Sequence, residues 1–359
     1  MTVLLDLIDE VSSIKQDIKT AINKKGGSLD NDTPFADYAD AIDNIPTAEA
    51  VLDKSLQGDL TFNVQTLGDS MLANNNGLTS IDLPNCTQMG ERCIQNCQSL
   101  ISANIPVYAG QELYMTEEGD VYIGGWGGQY CFEFCYNLLD VAAQSLKIIP
   151  SDFFAECKKL DVLDADNVYG IYGNSFRAYD EYDPEYHRVT VYEQLEKFSL
   201  DFMNFKFLDD MNDVLRDYIN DSNNNVTNTL TFSNLQCIGK LFRYDDSSDV
   251  LYNITTVSVP DLRRVNDWSD NRWNVTTLSL PVIRHLGSSS FTDCDALTTI
   301  NIGNKVRHIS DNAFGNCNNV TTVNIDIDQN TQDQDIIDNV INTAPWGLDQ
   351  SVTINWAVQ

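Results

Sequence analysis

The chain has 359 residues, with 53 Asp plus Glu against 22 Lys plus Arg and a formal net charge of −31 at pH 7. A field of that sign repels phosphate backbones, and Arg263-Arg264 with scattered lysines does not read as a basic patch, so nucleic acid is excluded as a partner. Apolar runs stay well short of the roughly 20 residues of a membrane helix, which excludes membrane insertion.

At the start of the chain, Leu4, Leu7, Val11, Ile14, Ile18 and Ala21 alternate spacings of three and four. That pattern predicts a short coiled-coil seam of about three heptads, and Ile14 at a d position favours a trimer over a dimer. A helix packed on its own domain is the competing reading, because so short a seam is marginal alone. Asp6, Asp9 and Glu10 stand where a secretory leader needs a basic start and a continuous apolar core, so export by that route is not expected. Lys24-Lys25-Gly26-Gly27 stops the first helix, and Thr33-Pro34 starts a second with Phe35, Tyr38, Ala39, Ile42 and Ile45 on one face before Pro46. The stretch "DIKTAINKKGGSLDNDTPFADYADAIDNIPT" resembles a short N-terminal segment common in tail, fibre and other virion proteins of tailed bacteriophages. The resemblance implies an attachment device that precedes varied C-terminal modules, with Leu4, Leu7, Val11, Ile14, Ile18, Phe35, Tyr38 and Ile42 as its anchor and oligomerisation residues.

After a polar connector and one expected strand at Leu60–Val64, the chain repeats itself. Leu78-Thr-Ser-Ile-Asp-Leu-Pro84 returns as Leu100-Ile-Ser-Ala-Asn-Ile-Pro106, and degenerate copies open at Leu138 and Leu160. Four further copies start at Ile254, Val275, Leu297 and Val320, roughly 21 to 23 residues apart, the mark of a solenoid whose single repeat cannot bury its own apolar face. Within a copy, Leu297, Ile300 and Ile302 point inward while Thr299 and Asn301 face out. A return segment follows, I-x-x-x-A-F-x-x-C at Ile309 to Cys317, with weaker versions at Phe291 to Cys294, Phe154 to Cys157 and Phe134 to Cys135. Together these phrases resemble the BspA-like class of leucine-rich repeat over roughly residues 70 to 327, which implies a parallel-stranded solenoid used for binding, without chemistry. The odd count of 9 cysteines, recurring at one repeat position, predicts buried free thiols instead of disulfides. Cys93/Cys97 and Cys131/Cys135 are C-x-x-x-C pairs, not the C-x-x-C of a zinc or redox motif.

Two insertions interrupt the repeats. Residues 107–130 predict two β-like runs about Glu117-Glu118-Gly119-Asp120, and residues 177–225 an aromatic loop followed by an amphipathic helical stretch from Leu200 to Ile219. Insertions project from a solenoid and often bind, so Tyr122, Trp126, Tyr130, Tyr182 and Tyr186 are the partner-binding candidates. The outward Thr/Ser/Asn face of the strands is the competing surface. His285 and His308 sit one repeat apart, so their imidazoles are expected near one another as repeated shoulder residues, with no metal. Asp326-Ile-Asp328-Gln-Asn330 begins like a calcium loop, but Thr331 stands in place of the turn glycine.

The expected architecture is α+β and solenoidal, a helical short coiled-coil anchor followed by a BspA-like leucine-rich-repeat solenoid with two insertions. Its divisions are an anchor at 1–47, a connector at 48–76, the solenoid at 77–327 and a C-terminal cap at 328–359. The expected role is a structural protein of a phage virion, in tail or head fibre or as an accessory. It attaches to other virion proteins by its N-terminus and presents the solenoid to a host-surface glycan or protein, or to another virion protein. The alternative is a BspA-like surface adhesin of a bacterium or protist. A glycan-degrading virion enzyme is a poor third, since no carboxylate pair stands out among so many acids. Neither a cofactor nor a catalytic residue is expected.

Overall fold

The computed structural model describes residues 54–125, 127–177, 191–209, 211–221, 228–240, 254–267 and 274–357, with isolated positions between 12 and 38. Leu4, Leu7, Val11, Phe35 and Ile42 of the anchor lie outside the described residues, as do Trp126, Tyr182 and Tyr186. The chain divides into two compact units, residues 1–110, 126–167 and 178–186 in the first, and 111–125, 168–177 and 187–359 in the second.

In the first unit, strands Gln57–Thr61, Gly77–Asp82, Ser102–Asn104, Asp140–Ala142 and Val162–Asp164 pair in parallel and in chain order. The first begins at Gln57, three residues ahead of the expected Leu60. Leu78, Ile81 and Leu83 are buried, and so are Leu100, Ala103 and Ile105 one rung on, so equivalent side chains form continuous apolar columns. Each fully buried Leu or Ile contributes about 1.5–3 kcal/mol relative to exposure, and no rung could bury its own.

The return turns are equally regular. Ser70 and Asn74, Arg92 and Asn96, Tyr130 and Phe134, and Asp152 and Glu156 all take left-handed backbone with φ from 53° to 66°. Their amides carry the stack, Asn74 N donating to Gln95 O, Asn96 N to Glu133 O and Phe134 N to Ala155 O. Phe134 therefore belongs to the turn, and the repeat's aromatic is Phe132, stacked on Phe154 with ring centroids 5.7 Å apart. The expected pairing of Phe134 with Cys135 is thus corrected to Phe132, which restores the F-x-x-C spacing of Phe154 to Cys157. Phe291 and Phe314 stack in the same way in the second unit, again at 5.7 Å.

All nine cysteines are free thiols, and all but Cys294 are buried. The thiols of Cys97, Cys135 and Cys157 donate to the carbonyls of Leu72, Ile94 and Phe132 at 3.2, 3.4 and 3.0 Å, and Cys317 does the same to Phe291 at 2.9 Å. The repeat cysteine thus fills a layer and also satisfies a carbonyl of the preceding rung, a pairing that valine or alanine cannot make.

The second unit has two parallel arrays. Thr277–Leu280, Thr299–Ile302, Thr322–Asp328 and Thr353–Ala357 form one. The other runs through Gly170–Tyr172, Phe207–Asp209, Cys237–Lys240, Arg264–Asp267, His285–Ser289 and His308–Ile309. A shorter pair joins Thr229–Thr231 to Thr256–Ser258. Leu200–Ile219 is not one helix. It holds a single 3-10 turn at Phe202–Asn204, the strand Phe207–Asp209 and a helix at Asn212–Asn220. Phe207 and Leu208 are both buried, so this point of the chain is a rung inside the region expected as an insertion. Asp326 and Asp328 likewise sit in the strand Thr322–Asp328 and not in a metal loop.

Candidate recognition surfaces

The outward face of the first array in the second unit carries matched columns. Thr277, Thr299, Thr322 and Thr353 are in register, as are Ser279, Asn301, Asn324 and Asn355. The asparagines bond along the column: Asn301 Nδ2 donates to Ser279 Oγ at 3.4 Å, Asn324 Nδ2 to Asn301 Oδ1 at 2.8 Å, and Asn355 Nδ2 to Asn324 Oδ1 at 2.8 Å. Asn301 and Asn324 each spend one donor and one acceptor on their neighbours and keep a second of each for a ligand. Beside the ladder runs a groove of about 380 Å³, walled by Pro281, Gly303, Asp326 and Trp356. Gly303 is glycine because a Cβ there would strike the Pro281 carbonyl.

The first insertion is an antiparallel hairpin, Gln111–Met115 with Val121–Gly125, closed by Thr116 N to Asp120 O and Gly119 N to Thr116 O. Tyr122 on it is 45% exposed. The guanidinium of Arg264 lies 5.2 Å from its ring centroid. Tyr130 is half-buried in the first unit, with Arg92, its equivalent one rung back, 4.5 Å from its ring centroid. Both tyrosines hold a cation of their own unit, so neither ring is an unengaged platform.

His285 and His308 meet as the register predicts, ring centroids 4.3 Å apart. Desolvation, then Arg264, then His308 lower the His285 pKa to about 4. Arg263, Arg284 and Arg307 stand on successive rungs here, a basic neighbourhood that the sequence reading denied. Its members are one repeat apart, so no window of sequence shows them together. The signal was the recurrence of R-H at Arg284-His285 and Arg307-His308. Among the described residues no His, Cys, Asp and Glu cluster has the makings of a metal site, and no helix is long and apolar enough to cross a membrane.

The thiols differ, since a neighbouring thiol, Cys135 for Cys97 and Cys294 for Cys317, lowers the pKa of those two. Burial pushes the Cys131, Cys135 and Cys157 thiols up, and raises Cys237 to about 12. Of the anchor residues described, Ile14 is exposed, while Ile18 packs against the buried pair Ile22 and Tyr38, and Lys15 lies 5.7 Å from the Tyr38 ring centroid.

The pattern of a BspA type leucine-rich repeat region matches the chain in six copies, over residues 55–112, 126–182 and 249–344, more than half of its length. Among solved structures the chain is similar to a leucine-rich repeat protein from Bacteroides ovatus, at 13% identity and a TM-score of 0.26, covering 83% of this chain and 88% of that one. It is similar also to a leucine rich cell surface protein from Faecalibacterium prausnitzii, at 14% identity and a TM-score of 0.24, with 83% and 84% covered. A third likeness is to the pneumococcal vaccine antigen PcpA, at 12% identity and a TM-score of 0.32, with 85% of each chain covered. No curated protein matches the chain.

Proposed function

The chain belongs to the BspA-type leucine-rich repeat family, and from that premise we propose that it is a recognition protein that binds without chemistry. The observation that carries this reading is the groove along Ser279, Asn301, Asn324 and Trp356, where amide donors and acceptors repeat at rung spacing beside an aromatic wall. Such a surface suits an extended polar partner, a glycan or a peptide strand presented on a cell. The family's use of its solenoid as a scaffold supports the same conclusion.

The likeness of residues 17–47 to phage attachment segments supports placement on a virion, with the N-terminus docked to other virion proteins as a trimer and the solenoid outward. The alternative, a surface adhesin of a bacterium or protist, draws on the repeat family itself. Mass spectrometry of purified phage particles separates the two, since an adhesin is absent from them. For the groove, the test is adsorption of the labelled full chain to host cells. Ser279 is exposed at one end of the ladder, so Ser279→Arg blocks the groove without entering the core. The expected result is at least tenfold weaker adsorption with an unchanged melting curve, and undiminished adsorption by the folded variant would remove the groove from consideration.

A further inference from the structure

The second array of the second unit gathers basic residues that the sequence scatters. Arg263 N donates to Gln236 O, Arg284 N to Arg263 O and Arg307 N to Arg284 O, which puts three arginines in one column. Arg264, His285 and His308 are in register in the next column. Rungs repeat about every 4.8 Å, so four guanidinium groups share one patch, with two imidazoles beside them, on a chain whose net charge is −31.

These groups are thinly compensated. Arg263 Nη1 donates to Gly119 O at 3.4 Å, and Arg264 Nε to Asn266 Oδ1 at 3.1 Å. Arg284 Nη1 lies 3.7 Å from Asp120 Oδ1, too far for a hydrogen bond, and Arg307 Nη1 donates to Val306 O at 3.1 Å. Among the described residues, Asp120 alone brings a carboxylate to these four guanidinium groups within ion-pair distance. Arg263 Nε, Arg264 Nη1 and Arg284 Nη1 are buried with no hydrogen-bond partner, and Asp120 Oδ1, 3.7 Å from Arg284 Nη1, is a buried acceptor equally unpaired. Buried donors left unsatisfied are uncommon and point to a missing acceptor.

The acidic hairpin tip sits over part of this ladder. A Cβ on Gly119 would lie 3.0 Å from Arg284 Nε and 3.2 Å from Arg263 Nη1, so the tip backbone touches both guanidiniums. Beyond the tip, Arg307 is exposed, and on the hairpin Tyr114 and Tyr122 form a cross-strand pair, 52% and 45% exposed.

We infer that the ladder of Arg263, Arg264, Arg284 and Arg307 binds the carboxylate or sulfate groups of an acidic polysaccharide. Guanidinium forks take such anions with two N–H donors, successive rungs meet successive charges, and the exposed Tyr114 ring offers a face for a sugar beside them. Single-stranded nucleic acid is the competing polyanion, and the titration below distinguishes it.

The full chain is titrated in low salt with polygalacturonate, dextran sulfate, neutral dextran and single-stranded DNA. Saturable binding is expected to polygalacturonate, dextran sulfate or both, which also tells carboxylate from sulfate, and none to dextran. Arg307→Gln, at an exposed position, should weaken it about tenfold, the factor carried by one charge-assisted contact, with its melting curve unmoved. Asp120→Asn should tighten binding by removing the internal competitor, and Ser279→Arg should leave it unchanged, which separates this site from the groove. Equal binding of both acidic polymers and dextran would overturn the inference, as would wild-type affinity in Arg307→Gln or tighter binding to DNA than to either polymer.

Discussion

In the first unit the side chains that stack from rung to rung at the turns are Phe132 on Phe154, with Cys135 and Cys157 beneath them. In the second array of the second unit the stacked positions include Arg263, Arg284 and Arg307. Both stacks use the same parallel ladder, but the ladder does not care what it aligns. Identical apolar groups in a column reinforce each other by contact, whereas identical charges in a column repel unless something of opposite sign lies across them. An apolar column is complete in itself and a cationic one calls for a partner.

The sharpest way to break the apolar column is Phe153→Ala. Phe153 is fully buried and meets Phe132 and Phe154 edge to face at 5.3 and 4.7 Å, so truncation is expected to cost about 3–5 kcal/mol in urea unfolding. Next comes Cys157→Ala, which removes the thiol donor and leaves the Phe132 carbonyl its bond from Cys135 N. A loss of about 1 kcal/mol is expected, and a neutral result would mean that the thiol contributes nothing at this layer.

The imidazole beside the arginines is tested by pH. His285 has a folded pKa of about 4 against 6.5 for the free side chain. Between those values the unfolded chain binds the extra proton, so stability is intact above about pH 6.5 and declines as pH falls towards 4. His285→Phe should flatten that part of the melting-temperature profile, and a slope identical to the wild type would place the titration elsewhere. The smallest effect is chemical. Cys294 is half-exposed and the other eight thiols are buried, so a thiol reagent in native buffer should modify about one cysteine per chain.

Much of this was legible because the solenoid writes its contacts at a constant offset. L-T-T-I-N-I at Leu297 and V-T-T-V-N-I at Val320 announce two paired strands, and the pairing Ile300↔Val323 follows from the phrase. The hairpin was legible from its turn. Misreadings arose where equivalence hung on one residue: Phe132 and Phe134 are both aromatic near Cys135, and only backbone φ tells the layer from the turn. Phe207–Asp209 was hidden because apolar residues at helical spacing surround a three-residue strand. The basic ladder was invisible for another reason, since net charge is a property of the whole chain and a patch is a property of its surface.

The hairpin tip has a consequence for the order of folding. Neighbouring rungs join residues about 22 apart, as Asn301 and Ser279 do, while the bond from Arg263 to Gly119 spans 144 residues. Closing short loops costs little entropy and propagates along a repeat array, but the tip has nowhere to dock until the rungs bearing Arg263 and Arg284 exist. Docking of the hairpin tip is therefore a late event in folding, and the contacts over the arginines are among the first to open when the native protein breathes.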